Sequence, residues 1–297
     1  MSNKPRKMTL EKKHNLTGWA FLAPATFLIA VFSFWPMIKA LVLSFQTGKG
    51  RNMQMAGFTN YIRMFQDDVF IQSIKNTFFY FILQVPIMLV VALVLACILN
   101  KKDLRFKGFF RTMIFLPCTT SLVAYSIIFR SLFANDGLVN YVLVNIGILD
   151  KPYNFLTQPF AAKMVIIVGL LWRWTGYNMV FFLSGLQNIE YSVYEAAKID
   201  GASAIQTFFK ITVPLLKPTI LLTAIMSTNG TLQLFDESIN LTDGGPANAS
   251  ISMSHYIYNL CFKYVPNFGY AAALSFFILL LVAVLAFIQM RVGDKRD

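Results

Sequence analysis

Residues 170–182 read LLWRWTGYNMVFF and set two flat aromatic rings, a guanidinium and a carboxamide within six consecutive positions, Arg173 to Asn178. Groups of this kind do non-covalent chemistry: rings stack, while guanidinium and carboxamide supply hydrogen bonds. Positions 170, 174 and 177 share one face of a helix, so Trp174 and Tyr177 point the same way, with Arg173 and Asn178 flanking them. Two readings stand for the rings. They form a binding face, or they are interfacial anchors, the commoner use of Trp and Tyr in a membrane helix; both sit near the middle of their apolar run. Arg173 also has two readings, a contact to a solute or a structural pair with Asp236 or Glu237.

A second polar cluster interrupts a later apolar run as MSTNGTLQLFDE, residues 226–237. Ser227 and Thr231 fall on one helical face, Asn229 and Gln233 on a nearly opposite one. One face could line a polar path while the other hydrogen-bonds a neighbouring helix. A third stretch, EAAKIDGASAIQTFFKITVP (residues 195–214), puts an acid, two alanines and an Asp200-Gly201 turn between strongly apolar segments. Ser192 and Glu195 have capping-box spacing, with a helix start nearer Asn188 equally open. Ala196 and Ala197 leave one face of that helix without bulk. Gly201 permits a turn few residues accept, and a second helical stretch runs back to the breaks at Pro214 and Pro218. The stretch is a helix-turn-helix with a small-residue surface, or else an ordinary amphipathic connector.

Composition says what must hold these residues in place. Of 297 residues 56% are hydrophobic and 13% charged, half the ~25% charge of a soluble domain, which indicates a polytopic membrane protein. A net charge of +12 would suggest nucleic acid in a soluble chain; here it reflects positive residues retained on the cytoplasmic side, and no nucleic acid partner is expected. Cys97, Cys118 and Cys261 lack ligand spacing, so neither a disulfide framework nor a metal site is expected. Six stretches approach the ~20 residues a crossing helix needs: 18–38, 77–99, 112–132, 163–186, 218–238 and 267–290, the fifth weakened by its polar residues. The first is too long, and lacks the small-residue cleavage site, to be a signal peptide. Pro24, Pro36, Pro86 and Pro117 should kink their spans. With the N-terminus inside, cytoplasmic segments hold 16 Lys and Arg against 6 outside. That bias places both termini, and the third stretch, in the cytoplasm. The division is then a tail at 1–17, a bilayer domain at 18–290 and a tail at 291–297.

Glu195-Ala196-Ala197, then Gly201, then Ile211 and Pro214, resemble the EAA loop of ABC-importer permeases, with Val213 where that pattern has leucine. The fuller YEAAKIDGA and QTFFKITVPLLKP are similar to the carbohydrate-uptake branch, with Glu190 where a proline commonly precedes the first helix. LTDGGP (residues 241–246), YIYNLCF, FGYAAALSFFILLLV and FTNYIRMF resemble the MalF-like subunits of maltose-type transporters, so the likeness covers nearly the whole chain.

The resemblance implies an all-α domain of six transmembrane helices in the MalF-like ABC-permease arrangement, in the bacterial cell membrane. It implies a sugar importer, with an oligosaccharide or disaccharide as cargo, and a coupling loop at 187–217 that docks on a separate ATPase. Glu195, Ala196, Ala197, Asp200, Gly201, Ile211 and Pro214 are the coupling residues on this reading. Positions aligning with Ser227, Gly230 and Thr231 face the sugar in MalF-like subunits, which adds them to Arg173, Trp174, Tyr177 and Asn178 as the pathway and leaves Asn229 and Gln233 to hold a neighbouring helix. The implied partners are a second homologous permease, two cytoplasmic ATPase subunits, an extracytoplasmic sugar-binding protein and the lipid bilayer. The chain has no G-x-x-x-x-G-K-[ST] sequence for a nucleotide phosphate, so it is not expected to be an enzyme or to bind a cofactor; ATP and Mg belong to the ATPase. A polyol or a sugar phosphate is an alternative cargo. An ion-coupled transporter would usually show internal repeats, and a transport-free scaffold would leave the polar span and the loop spacing unexplained.

Overall fold

In a computed structural model, residues 10–49, 52–101 and 103–293 are described. Parts of both tails, 1–9 and 294–297, lie outside the described residues. Helix α1 (Leu10–Ile29) passes through a π-turn (Ala30–Phe34) into α2 (Trp35–Ser44). A hairpin of β1 (Gln46–Lys49) and β2 (Asn52–Met55), with Gln46 opposite Met55, and a short α3 (Thr59–Met64) lead to the long α4 (Asp68–Asn100). Next come α5 (Lys107–Thr119), α6 (Leu122–Leu132), α7 (Leu138–Asn145) and α8 (Pro159–Gln187). The chain continues through α9 (Tyr191–Ile199), α10 (Ala204–Thr207), a π-turn (Phe208–Thr212), α11 (Val213–Leu215) and α12 (Lys217–Leu232). It closes with α13 (Asp236–Thr242), α14 (Met253–Tyr258), a π-turn (Asn259–Lys263) and α15 (Phe268–Gly293).

Four helical segments are long and apolar enough to cross a membrane: His14–Ser44, Asp68–Asn100, Pro159–Gln187 and Phe268–Gly293. The count reaches six if two bent pairs each make one span, α5 with α6 at 98° and the Ala204–Leu215 segment with α12 at 69°. Both bent pairs fall on expected spans, and neither runs as one straight helix. The 112–132 stretch breaks at Thr120 and Ser121, just after Pro117, whose missing N–H removes a helix bond. The 218–238 stretch stops at Leu232. Residues 233–235 leave the helix, and the Ser252 hydroxyl satisfies the freed Leu234 carbonyl. A helix carrying Ser, Thr, Asn and Gly in its last turns gives up that end readily, because these residues bond locally or resist ordering.

Two buried clusters fix the bundle on either side of its middle. Toward one end, Tyr80 of α4 packs with Tyr125, Ile166, Ile167, Leu234 and Leu241. Toward the other, Ala92, Ala96 and Leu99 of α4 pack with Met179, Phe182 and Leu216. Gln84 and Met88 lie on α4 between the two. By contrast, the α1–α2 segment buries nothing of its most apolar window against the rest of the chain, with Phe21, Phe27 and Phe32 exposed.

One carboxylate ties three elements together. Asp67 caps α4 by accepting the Val69 and Phe70 N–H groups on Oδ1, while its Oδ2 accepts the hydroxyls of Tyr256 (2.6 Å) and Tyr270 (2.7 Å). Burial raises the Asp67 pKa, but the two phenols and two N–H groups outweigh it and hold the carboxyl below its usual value. A depressed carboxyl contributes stability above its unfolded pKa, and that contribution is lost as pH falls through the folded value. Asp67→Ala should therefore lower stability by about 2–4 kcal/mol at pH 7, with a smaller deficit for Asp67→Asn. The deficit should start to shrink as pH falls below about 4, the ordinary carboxylate value, and close as pH passes the lower folded value of Asp67. Thermal unfolding of the detergent-solubilised protein across pH measures both; equal midpoints at pH 7 would remove this role.

Candidate functional site

A cavity of about 460 Å³ opens at the middle of the bundle, between the two packed clusters. From α8 it takes Arg173, Trp174, Tyr177 and Asn178; from α12 it takes Ser227, Gly230 and Thr231. All seven residues singled out from the sequence for a polar path thus meet in one space. Leu170 lines it as well, as the 170/174/177 face requires. Trp174 and Tyr177 stand edge to face, their centroids 5.8 Å apart. Asn178 donates to the Trp174 carbonyl and accepts from Ser227 at 3.3 Å.

The structure divides the polar faces of α12 differently from the sequence expectation. Asn229 and Gln233 are exposed and hydrogen-bond to each other, neither bonds another helix among the described residues, and Gln233 lines the cavity too. The ties are made by the opposite face: Thr231 donates to Gln84 of α4 at 2.8 Å, and Gln289 of α15 donates to Thr228 at 2.7 Å. Residues i and i+4 on an exposed face meet each other more easily than a distant helix. Thr231 is buried with its hydroxyl already bonded, whereas Gly230 next to it is exposed.

Arg173 does not pair with Asp236 or Glu237 among the described residues. Its Nη1 donates to the Thr120 carbonyl at 3.0 Å and to Thr120 Oγ1 at 3.4 Å, and its Nη2 to the Cys118 carbonyl at 3.5 Å. The break between α5 and α6 explains this. A helix end leaves carbonyls unpaired and carries the negative pole of the dipole, and a guanidinium answers both. The rings of Tyr125 and Trp174 lie 5.4 and 5.5 Å from the guanidinium carbon. Gly176, one turn on, lets α8 touch α5 backbone to backbone: a Cβ there would stand 1.9 Å from the Ile114 carbonyl oxygen.

The sequence reading missed Gln84, although a lone carboxamide in the apolar run FFYFILQVPIMLV (residues 78–90) was a visible signal. It also missed a serine-rich network in the 238–255 segment. There Ser238 bonds the Ser250 carbonyl and His255 Nδ1, and Tyr80 donates to the same carbonyl. His255 is fully buried, and burial pushes its imidazole down to about 4 against the pull of the Asp243 carboxylate.

At the other end lies the 187–217 stretch. Helix α9 starts after Glu190, with Ser192 bonded to the Glu190 carboxylate, so the Ser192/Glu195 capping box does not form. A capping box is instead made one helix later by Ser203 and Gln206. Glu195, Ala196, Asp200, Gly201 and Pro214 are exposed, Ile211 is partly buried, and Ala197 is buried against its own chain. The two alanines therefore do not share one open face. Gly201 has a φ of +75°, with open space where a Cβ would point, and Pro214 is the second residue of α11, which precedes the 69° bend into α12.

Residues 25–296 match the family described as the binding-protein-dependent transport system inner membrane component. The chain is similar to the lactose transport system permease protein LacF of Rhizobium radiobacter, 52% identical over 292 residues and 98% of each protein. It is also similar to the multiple sugar-binding transport system permease protein MsmF of Streptococcus mutans, 33% identical over 97% of this chain and 99% of that one. A solved bacterial alginate ABC transporter, in complex with an alginate pentasaccharide-bound periplasmic protein, aligns at a TM-score of 0.84 and 25% identity, covering 98% of both chains.

Proposed function

The chain belongs to the family of inner membrane components of binding-protein-dependent transport systems, and on that premise we propose that it is one permease half of an ATP-driven importer for a disaccharide or short oligosaccharide, lactose being the first candidate. The observation that carries the substrate reading is the cavity at mid-bundle, where an aromatic pair and the polar groups of Asn178 and Ser227 meet. Its volume falls in the ~300–1,000 Å³ range of small-molecule sites. A pyranose ring offers C–H faces to Trp174 and Tyr177 and hydroxyls to the polar side chains. A sugar phosphate or polyol is not favoured as cargo, because the end-to-end relatives reported above are named for sugars.

The importer needs partners, and the surface is consistent with them. The exposed apolar window of the α1–α2 segment suits lipid and a second permease. The exposed Glu195, Ala196, Asp200 and Gly201 suit a cleft on one of two ATPase subunits, which supply ATP and Mg chemistry. An extracytoplasmic sugar-binding protein delivers cargo at the opposite face, with both termini of this chain in the cytoplasm.

Replacing both rings, Trp174→Ala with Tyr177→Ala, should lower sugar uptake roughly tenfold or more, as two stacking surfaces are lost. Co-purification of the ATPase should persist, since neither ring lies near the 187–217 stretch. Wild-type uptake by the assembled double variant would move the sugar path away from α8.

A further inference from the structure

The cavity contains two carboxyl groups that the sugar reading above leaves without a task. Asp236 and Glu237 enter its wall where the chain turns into α13. Glu237 is 4% exposed and Asp236 partly buried. A carboxyl in such a place is costly unless a cation or several donors compensate it. Arg173 is in the same wall but is engaged with the Thr120 and Cys118 carbonyls. Lys263 pairs with Asp243 rather than with either of these carboxyls. Arg173 keeps a buried Nε with no hydrogen-bond partner, although the residue is only 6% exposed. One space therefore holds two carboxyls, that of Glu237 bonded to Trp174 and near the Arg173 charge, and a buried Arg173 donor that has no acceptor.

We infer that Asp236 and Glu237 accept hydroxyl hydrogens of the passing saccharide, and that the same pair turns away saccharides carrying a carboxylate or phosphate. The inference rests on the sugar reading and narrows it to uncharged cargo. Adjacent hydroxyls present two donors to one carboxylate, and such charge-assisted bonds are roughly twice as strong as neutral ones. They add to the Trp174 hydrogen bond and the Arg173 charge that already act on Glu237. An anionic saccharide instead brings a second negative charge into a low-dielectric space, where like charges repel strongly. Discrimination then comes as much from what the wall repels as from what it binds.

The test uses the importer complex in lipid nanodiscs, titrated with lactose and with lactobionate while tryptophan fluorescence reports binding. Wild type should bind lactose at least ~10-fold more tightly than lactobionate. The isosteric Glu237→Gln and Asp236→Asn variants should each narrow that ratio by about 5-fold or more, and the double variant should weaken lactose itself. The ratio is taken within one protein, so a change in the folded fraction does not move it. An unchanged ratio in both variants overturns the carboxylate assignment while leaving the sugar reading intact. Failure of lactose to bind wild type overturns the disaccharide reading, and this inference with it.

Discussion

Gly201→Asp is expected to abolish sugar uptake and sugar-stimulated ATP hydrolysis while the permease still inserts in the membrane. Gly201 lies in the left-handed region at φ +75° on an exposed turn, and a Cβ there would meet nothing within its own chain. The fold therefore accepts a side chain at a cost of about 1–2 kcal/mol, and less for Asp, which tolerates this conformation. On the proposed coupling role, the larger effect arises where the turn meets the ATPase. A carboxylate pressed into a closely fitting interface without a counter-charge costs about 3 kcal/mol or more, which reads as a loss of roughly 100-fold. Gly201→Asn has nearly the same shape without the charge and should be the milder of the two. Glu195→Ala should cost about 1 kcal/mol, because exposed charge pairs contribute little. Uptake and ATP hydrolysis in the reconstituted complex distinguish these outcomes. Wild-type rates for Gly201→Asp would make the 187–217 stretch an ordinary connector.

Gly176→Val is expected to prevent stable accumulation of the chain. A Cβ at this position would lie 1.9 Å from the Ile114 carbonyl oxygen, 2.7 Å from the Ile114 carbonyl carbon and 3.0 Å from Phe115 Cα. These are backbone atoms and cannot rotate aside, so α5 as a whole would have to shift. The shift would also carry away the Cys118 and Thr120 carbonyls that hold Arg173, leaving a buried guanidinium without acceptors. Overpacking typically costs ~1–3 kcal/mol, and losing the partners of a buried charge several more. Gly176→Ala should already lower the melting midpoint in detergent, with Val the more severe. A Val variant that accumulates and melts like wild type would show that α8 and α5 do not cross in contact here.

Several of these features were legible in the residue order. Apolar runs near twenty residues located the membrane segments, because only such runs repay the transfer of backbone into hydrocarbon. Helical periodicity put Leu170, Trp174 and Tyr177 on one face, and the structure keeps them on one cavity wall. The turn at Gly201 followed from its residue type alone. Other features depended on neighbours far along the chain. Periodicity says which residues share a face of α12 but not where that face points: Asn229 and Gln233 bond each other, and Gln233 reaches the cavity wall. The sequence leaves Arg173 a solute or a carboxylate as partner, but the acceptors it finds are carbonyls 53 and 55 residues away, freed only because α5 ends at Thr119. Likewise, α12 ends at Leu232 because the Ser252 hydroxyl can take the carbonyl of Leu234, a bond that exists only once α13 and α14 have folded back against α4. The residue types settled which groups could bind a polar solute; the breaks in the helices, and the backbone groups those breaks release, settled which of them stay free to do so.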